Sequence, residues 1–182
     1  MGEILNGSNQ YLTFRLGDET FALDITRVRE VLDLINITKV PRTPEFMLGV
    51  INLRGNVVPV IDLRLSLGMP PSAATVDTCI IIVEAQMGAE QLLVGVLADA
   101  VQEVVEILNE DLSSPPRMGV SFNPEFIRSM GRRGEDFLIV LNMDRILMEK
   151  DIGEMAMMTS LIPQGVARMD TPANIDIQGS QP

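Results

Sequence analysis

A chain of 182 residues, 46% of them apolar, can bury a core in one domain or in two very small ones. Its 25 acidic against 14 basic residues leave a formal net charge of −11, which repels a phosphate backbone or an anionic lipid surface. With no histidine, no tryptophan and a single cysteine, Cys79, it lacks the side chains for Ser-His-Asp or Cys-His catalysis, histidine phosphotransfer, a His-containing zinc site, a thiolate cluster or an internal disulfide. Neither common glycine-rich nucleotide loop is present, and 4% aromatic content is too little for a base-stacking platform, so no cofactor is expected. No stretch approaches the roughly 20 apolar residues of a bilayer span. Met1 to Asn6 has neither a basic n-region nor a long apolar run, and the expected compartment is a reducing cytoplasm.

In chain order, Leu12, Phe14 and Leu16 alternate with Tyr11, Thr13 and Arg15, the period of a half-buried strand. Gly17-Asp18-Glu19 turns the chain and Thr20 to Leu23 returns. Val28 to Leu32 is a short apolar segment whose state periodicity leaves open. Pro41 and Pro44 bracket a loop, and Glu45 to Gly49 has the look of one helical turn. Val50 to Leu53 then runs into Arg54-Gly55-Asn56, and Val57 to Ile61 leaves it. This is a β-hairpin in which Gly55 and Asn56 are the residues that accept the positive φ of a tight turn. Pro59 has no N–H for a ladder, which predicts an edge or bulged strand. Arg54 sits at the hairpin tip, where burial does not account for a guanidinium.

Leu63 to Leu67 fits a second short helix, and Gly68 to Val76, with Pro70-Pro71-Ser72, a linker. Thr78 to Val83 is a continuous apolar strand, turned at Met87-Gly88-Ala89 into Gln91 to Leu97. Val101 to Leu108 follows, then a polar loop through Pro115-Pro116 and a strand from Phe137 to Leu141. Met148, Ile152, Met155, Met158 and Ile162 recur at helical steps, a face that either packs on the body of the protein or forms an adaptable Met-lined surface. From Pro163 on, composition without periodicity predicts disorder. Short strands at this spacing, with only short helices, predict an all-β fold of small barrels.

A weak internal repeat supports two similar units. Val28-Arg29-Glu30-Val31 returns as Val101-Gln102-Glu103-Val104, an offset of 101 − 28 = 73, and Pro44-Glu45-Phe46 returns as Pro124-Glu125-Phe126, an offset of 124 − 44 = 80. Arg54-Gly55 returns as Arg133-Gly134, and Val60-Ile61-Asp62-Leu63 as Val140-Leu141-Asn142-Met143. The order is kept, and the offsets differ only by loop-sized amounts.

Taken together, these stretches resemble the CheW family of bacterial chemotaxis scaffold proteins over roughly Tyr11 to Leu147. The likeness is carried by Asn52-Leu53-Arg54-Gly55-Asn56-Val57-Val58-Pro59-Val60-Ile61-Asp62-Leu63-Arg64 and by Phe14-Arg15-Leu16-Gly17-Asp18-Glu19. The stretches Leu23 to Val31, Pro44 to Gly55 and Leu93 to Val101 add to it. Ser129 stands where the family usually has glycine before Met130-Gly131, which puts the local turn in question.

The resemblance implies two five-stranded SH3-like barrels packed side by side with a groove between them, strand exchange being left open. It implies a module over residues 10–150, with units at about 10–70 and 77–148; periodicity adds a helical segment at 151–162 and composition a tail at 163–182. It further implies a non-enzymatic adaptor that joins the cytoplasmic tips of chemoreceptors to the regulatory domain of the histidine kinase CheA. Ile25, Val28, Glu30, Arg54, Cys79 and Ile80 match receptor-facing positions, and Gly49 and Gly95 match glycines that matter for partner binding. Each also has a plain reading: core for Ile25 and Val28, solvated charge for Glu30 and Arg54, a small buried hydrophobe for Cys79, backbone geometry for the glycines. Other classes stay open: a CheV-like fragment without its receiver domain, or a hydrolase using only carboxylates, with Asp62 and Asp99 as its default candidates. Those two carboxylates more readily fix strand ends through backbone hydrogen bonds.

Overall fold

The computed structural model describes residues 7–115 and 124–149. The helical face expected beyond Met148, the tail from Pro163 and most of the loop after Pro115 fall outside them. The strands are β1 (Ser8–Leu16), β2 (Glu19–Asp24), β3 (Val28–Asp33), β4 (Met47–Leu53), β5 (Asn56–Asp62), β6 (Cys79–Met87), β7 (Glu90–Ala98), β8 (Ala100–Leu108), β9 (Leu112–Ser113), β10 (Ile127–Arg133) and β11 (Asp136–Leu141). Two short helices, α1 (Leu63–Ser66) and α2 (Met143–Glu149), follow β5 and β11.

The strands form two sheets, one ordered β3-β6-β7-β5-β4 and the other β8-β1-β2-β11-β10-β9. Each is an SH3-like barrel, the second including the two-residue β9. Neither sheet is built from one half of the chain. The β1–β2 hairpin lies with β8 to β11, and the β6–β7 hairpin lies with β3 to β5. The exchange is symmetric: β1 pairs with β8 as β3 pairs with β6, both antiparallel, and β11 pairs with β2 as β5 pairs with β7, both parallel. The β4–β5 and β10–β11 hairpins therefore occupy corresponding corners of the two barrels.

Each barrel has a small interior core. In the first it is Ile51, Leu53, Val58, Val60, Ile80, Ile82 and Leu97; in the second it is Tyr11, Ala22, Ile107, Leu138 and Val140. The largest cluster lies between the barrels and draws on both sheets, with Phe14, Phe21, Ile61, Leu63, Ile81, Val96, Phe126 and Ile146 among its members. This explains one departure from the sequence pattern. β1 is buried on both faces, Leu12, Phe14 and Leu16 toward the shared core and Tyr11 toward the interior of the second barrel, and so is not half-buried. Thr13 is buried too. Its hydroxyl accepts from the Glu103 N–H (3.1 Å) and donates to the Glu103 carbonyl (2.9 Å), completing the ladder where β1 and β8 slip register.

Two further expectations change. Glu45-Phe46 is a turn, and the strand begins at once with Met47, because the Asp62 N–H donates to the Phe46 carbonyl and draws the chain into the ladder. The helical geometry appears instead in the second copy, where Pro124–Phe126 is a 3-10 turn. Pro59 lies in a strand paired on both sides, but the ladder to β7 starts at Val60, so the missing N–H falls where no neighbour asks for it. Ser129 follows a register slip after Ile127 within β10, so the local turn in question is a bulged strand.

Two ionic joints tie the barrels together. At the first, buried Arg64 donates through Nη1 to Asp99 Oδ1 (2.8 Å) and through Nε to Asp62 Oδ1 (3.1 Å), while Asp99 Oδ2 accepts the Gly17 N–H (2.6 Å). At the second, Arg27 Nη2 meets Asp144 Oδ2 (2.8 Å), and Asp144 Oδ1 accepts the Gln86 N–H (2.9 Å). Asp144 stands 80 positions after Arg64 (144 − 64), so the repeat keeps the joint and reverses its charges.

Candidate functional site

The expected site centres on the β4–β5 hairpin. Its two turn residues are Arg54 (φ 52°) and Gly55 (φ 87°), so the left-handed pair is Arg54-Gly55 and not Gly55-Asn56. Asn52 stabilises the turn by accepting the Gly55 N–H on Oδ1 (2.8 Å). A left-handed backbone is rare for a residue with a Cβ, and it aims the Arg54 side chain off the end of the hairpin. The guanidinium then forks onto Glu30, Nη1 to Oε2 at 2.8 Å and Nη2 to Oε1 at 2.9 Å. Arg54 remains 71% exposed. The bidentate hydrogen bonds from Arg54 hold the Glu30 carboxyl below the usual carboxylate range and raise the Arg54 guanidinium.

Glu30 lies on β3, one edge of its sheet, just past a register slip against β6; β4 is the other edge. The fork therefore latches the open side of the barrel. The second barrel repeats the device: Arg133 Nη2 donates to both oxygens of Glu103 (2.9 and 3.2 Å), joining the β10–β11 hairpin to the edge strand β8. The recurrence makes the latch part of the barrel design. Further along the same stretch of chain Val31, Leu34 and Ile35 are each about 40% exposed, Val31 on the face of β3 opposite Glu30. Sequence reading missed these three. The signal was Leu34-Ile35 continuing an apolar run past a segment whose state was left open.

The other expected residues divide. Ile25 sits in the 3-10 turn Ile25–Arg27 that carries the chain from one sheet to the other, and Asp24 caps that turn by accepting the Thr26 N–H (2.9 Å). Ile25 and Val28 are half-buried against the core between the barrels, at the seam. Cys79 and Ile80 do not come together. They are consecutive on β6 and point to opposite faces, Cys79 into the shared core and Ile80 into the interior of the first barrel. Ile80 is 0% exposed, so it offers a partner no surface. Burial pushes the Cys79 thiol up from its ordinary range.

Both glycines are close approaches. A Cβ on Gly49 (φ 144°) would stand 2.2 Å from the Thr38 carbonyl oxygen, and one on Gly95 would stand 2.9 Å from Ile80 Cγ2 and 3.1 Å from Val60 Cγ2. Asp62 and Asp99, the carboxylates of the hydrolase alternative, are both engaged by Arg64 and by backbone N–H groups. A cavity of about 220 Å³ lies at the seam, lined by Asp24, Arg27, Arg128 and Asp144 among others. It is polar and already internally paired, Arg128 with Asp24 and Arg27 with Asp144.

Residues 10–151 match the CheW-like domain family. The chain belongs to the CheW-like family. Chemotaxis protein CheW of Rhizobium meliloti is 34% identical over 127 residues, covering 70% of this chain and 79% of that protein. The CheW of Klebsiella aerogenes is 30% identical over 143 residues, covering 79% and 84%. The crystal structure of the scaffolding protein TtCheW from Thermoanaerobacter tengcongensis superposes with a TM-score of 0.70 at 33% identity, covering 78% of this chain and 93% of that one. By family, then, this CheW-like chain is a chemotaxis adaptor. Among the described residues no helix is long and apolar enough to cross a membrane.

Proposed function

We propose that this CheW-like chain couples the cytoplasmic tips of chemoreceptors to the regulatory domain of a CheA-type histidine kinase, without catalysis of its own, in the cytoplasm at membrane-associated receptor arrays. The receptor-facing surface is the Glu30–Arg54 latch with Ile25 and Val28 at the adjoining seam. The observation that carries this reading is the exposed Arg54 guanidinium, held at fixed orientation at the hairpin tip by its fork onto Glu30. Gly49, Gly95 and Ile80 support that surface by setting the shape of the first barrel, and Cys79 by packing in the core between the barrels, rather than by touching the partner.

The test is Arg54→Glu in a reconstituted receptor–kinase assay. The introduced carboxylate faces Glu30, and a directional donor is lost. Receptor-coupled kinase activation is expected to disappear while the melting curve stays within a degree or two, because the side chain is exposed and removes no core volume. Normal activation by the variant, or a collapsed transition, defeats the assignment.

A further inference from the structure

The Arg-Gly pair repeats in the sequence one position out of step with the fold. Both hairpins close with two-residue turns, Arg54-Gly55 inside the Leu53–Asn56 pair and Gly134-Glu135 inside the Arg133–Asp136 pair. Register therefore sets Arg54 against Gly134, and Arg133 against Leu53, which is buried in the first barrel. In the second turn a glycine takes the positive φ (Gly134, 65°), and the arginine reaches Glu103 from the ladder. In the first, the arginine itself stands in the turn at φ 52°, a conformation its Cβ disfavours. Closing the barrel does not require that strain, since the second barrel reaches its edge-strand glutamate without it.

The strained turn changes the grip. Arg54 presents two nitrogens to the two oxygens of Glu30, while Arg133 reaches Glu103 through Nη2 alone. Two parallel bonds fix the plane of the guanidinium, which a single nitrogen does not. The fork takes one N–H from each Nη and leaves the Nε–H and the second N–H of each Nη for an outside acceptor. Packing does not hold this turn, because a Cβ on Gly55 would meet nothing within 4 Å. What does hold it is exposed Asn52, whose Oδ1 accepts the Gly55 N–H at 2.8 Å. Its register counterpart is Arg132, which stands opposite exposed Phe137 as Asn52 stands opposite Val57. A guanidinium has no acceptor, so Arg132 cannot take the Glu135 N–H in the same way. The side-chain cap and the strained arginine occur together in one hairpin, and neither occurs in the other.

We propose that Asn52 is a positioning residue for Arg54: its bond to the Gly55 N–H locks the left-handed turn and so sets the guanidinium as a rigid fork on Glu30, with its outer N–H groups aimed at an acceptor on the partner. Asn52 acts through Arg54 and need not touch the partner itself. Without the cap the turn is free to relax out of the left-handed region, and the fork loses its fixed plane. The arginine then remains exposed and charged, but its donors no longer point one way. The bearing of this orientation on binding rests on the adaptor reading above; the positioning of the fork does not.

The test removes the cap and reads the fork directly. Asn52→Ala, Asn52→Asp, Arg54→Ala and the double variant Asn52→Ala/Arg54→Ala are compared in the full-length chain. NMR gives the titration midpoint of the Glu30 carboxyl, calorimetry the affinity for a receptor cytoplasmic fragment, and melting curves the state of the fold. Asn52→Ala should move the Glu30 midpoint up toward the ordinary carboxylate range. It should also weaken receptor binding about tenfold, the scale of a charged hydrogen bond. Asn52→Asp, whose carboxylate accepts the same N–H, should keep binding within about twofold of wild type. In the Arg54→Ala background, removing Asn52 should leave the Glu30 midpoint where Arg54→Ala alone puts it. An unmoved midpoint in Asn52→Ala overturns the inference, as does a midpoint that moves as far without Arg54 as with it. A collapsed melting transition in Asn52→Ala also overturns it, by making Asn52 a folding residue. A moved midpoint with receptor affinity within about twofold of wild type overturns the link from orientation to binding. A wild-type chain that binds no receptor fragment overturns the adaptor reading, and the Glu30 midpoint still decides the positioning role.

Discussion

Arg64 is the side chain whose removal should cost this protein most. It is buried, as are Asp62 and nearly all of Asp99, whose side chains are 5% and 15% exposed. Arg64→Met keeps the chain length and most of the volume but leaves two carboxylates facing each other with no cation between them. Removing one partner of a buried ionic set typically destabilises by about 3–5 kcal/mol, because the remaining charge stays desolvated. With a urea dependence of about 2 kcal/mol per molar for a domain of this size, the unfolding midpoint should fall by about 2 M. The second joint is the internal control. Arg27 and Asp144 are 35% and 29% exposed, so solvent screens them; Asp144→Asn keeps an acceptor for the Gln86 N–H and should lose no more than about 1 kcal/mol. Urea titrations followed by far-UV circular dichroism measure both. Equal losses at the two joints, or a larger loss at Asp144, would show that burial does not set the strength of these ties.

Other outcomes follow from the packing and the titrations. Gly49→Ala should lower the melting temperature more than Gly95→Ala, since the first drives a Cβ into a backbone carbonyl at positive φ and the second meets only methyl groups, an overpacking of about 1–3 kcal/mol. Differential scanning calorimetry orders them. Cys79, its thiol raised by burial, should react slowly with a disulfide reagent in native buffer and at full rate in denaturant. Its folded-state pKa lies above the unfolded one, so its contribution to stability is complete below the ordinary thiol range and is lost as pH rises from there through the raised folded value. Glu30 runs the other way. With its pKa lowered by Arg54, its contribution is present above the ordinary carboxylate range and is lost as pH falls through the lowered value. An NMR titration of the Glu30 carboxyl should show its midpoint moving up toward the ordinary value in Arg54→Ala.

What the sequence disclosed, it disclosed through periodicity and punctuation. The all-β class, the hairpin at Arg54-Gly55 and the duplicated order of segments were legible because strand period, turn residues and repeated motifs are local properties. The pairing of Glu30 with Arg54 has no local signal, since the partners stand 24 positions apart in the chain. Burial was the weaker inference. Tyr11 and Thr13 have the alternation of an exposed face but are covered because β1 inserts into the other repeat's sheet. Cys79 and Ile80 looked like one site as neighbours in sequence and are separated by the strand's own two-residue period. Arg132 and Phe137 passed unremarked, because exposure of an aromatic ring is a tertiary fact that no local pattern states.

The exchanged hairpins bear on what holds the chain together when it is cut. The stretch from Pro70 to Asp77 is exposed and lies outside every named strand. A protease nick there would separate β1–β5 from β6–β11 in covalent terms only. The ladders β1–β8, β2–β11, β3–β6 and β5–β7 all cross the break, so neither fragment holds a complete barrel and each supplies the hairpin the other lacks. The two pieces form an obligate complementing pair, and a split-reporter fusion at this linker would read the integrity of the whole fold from either end.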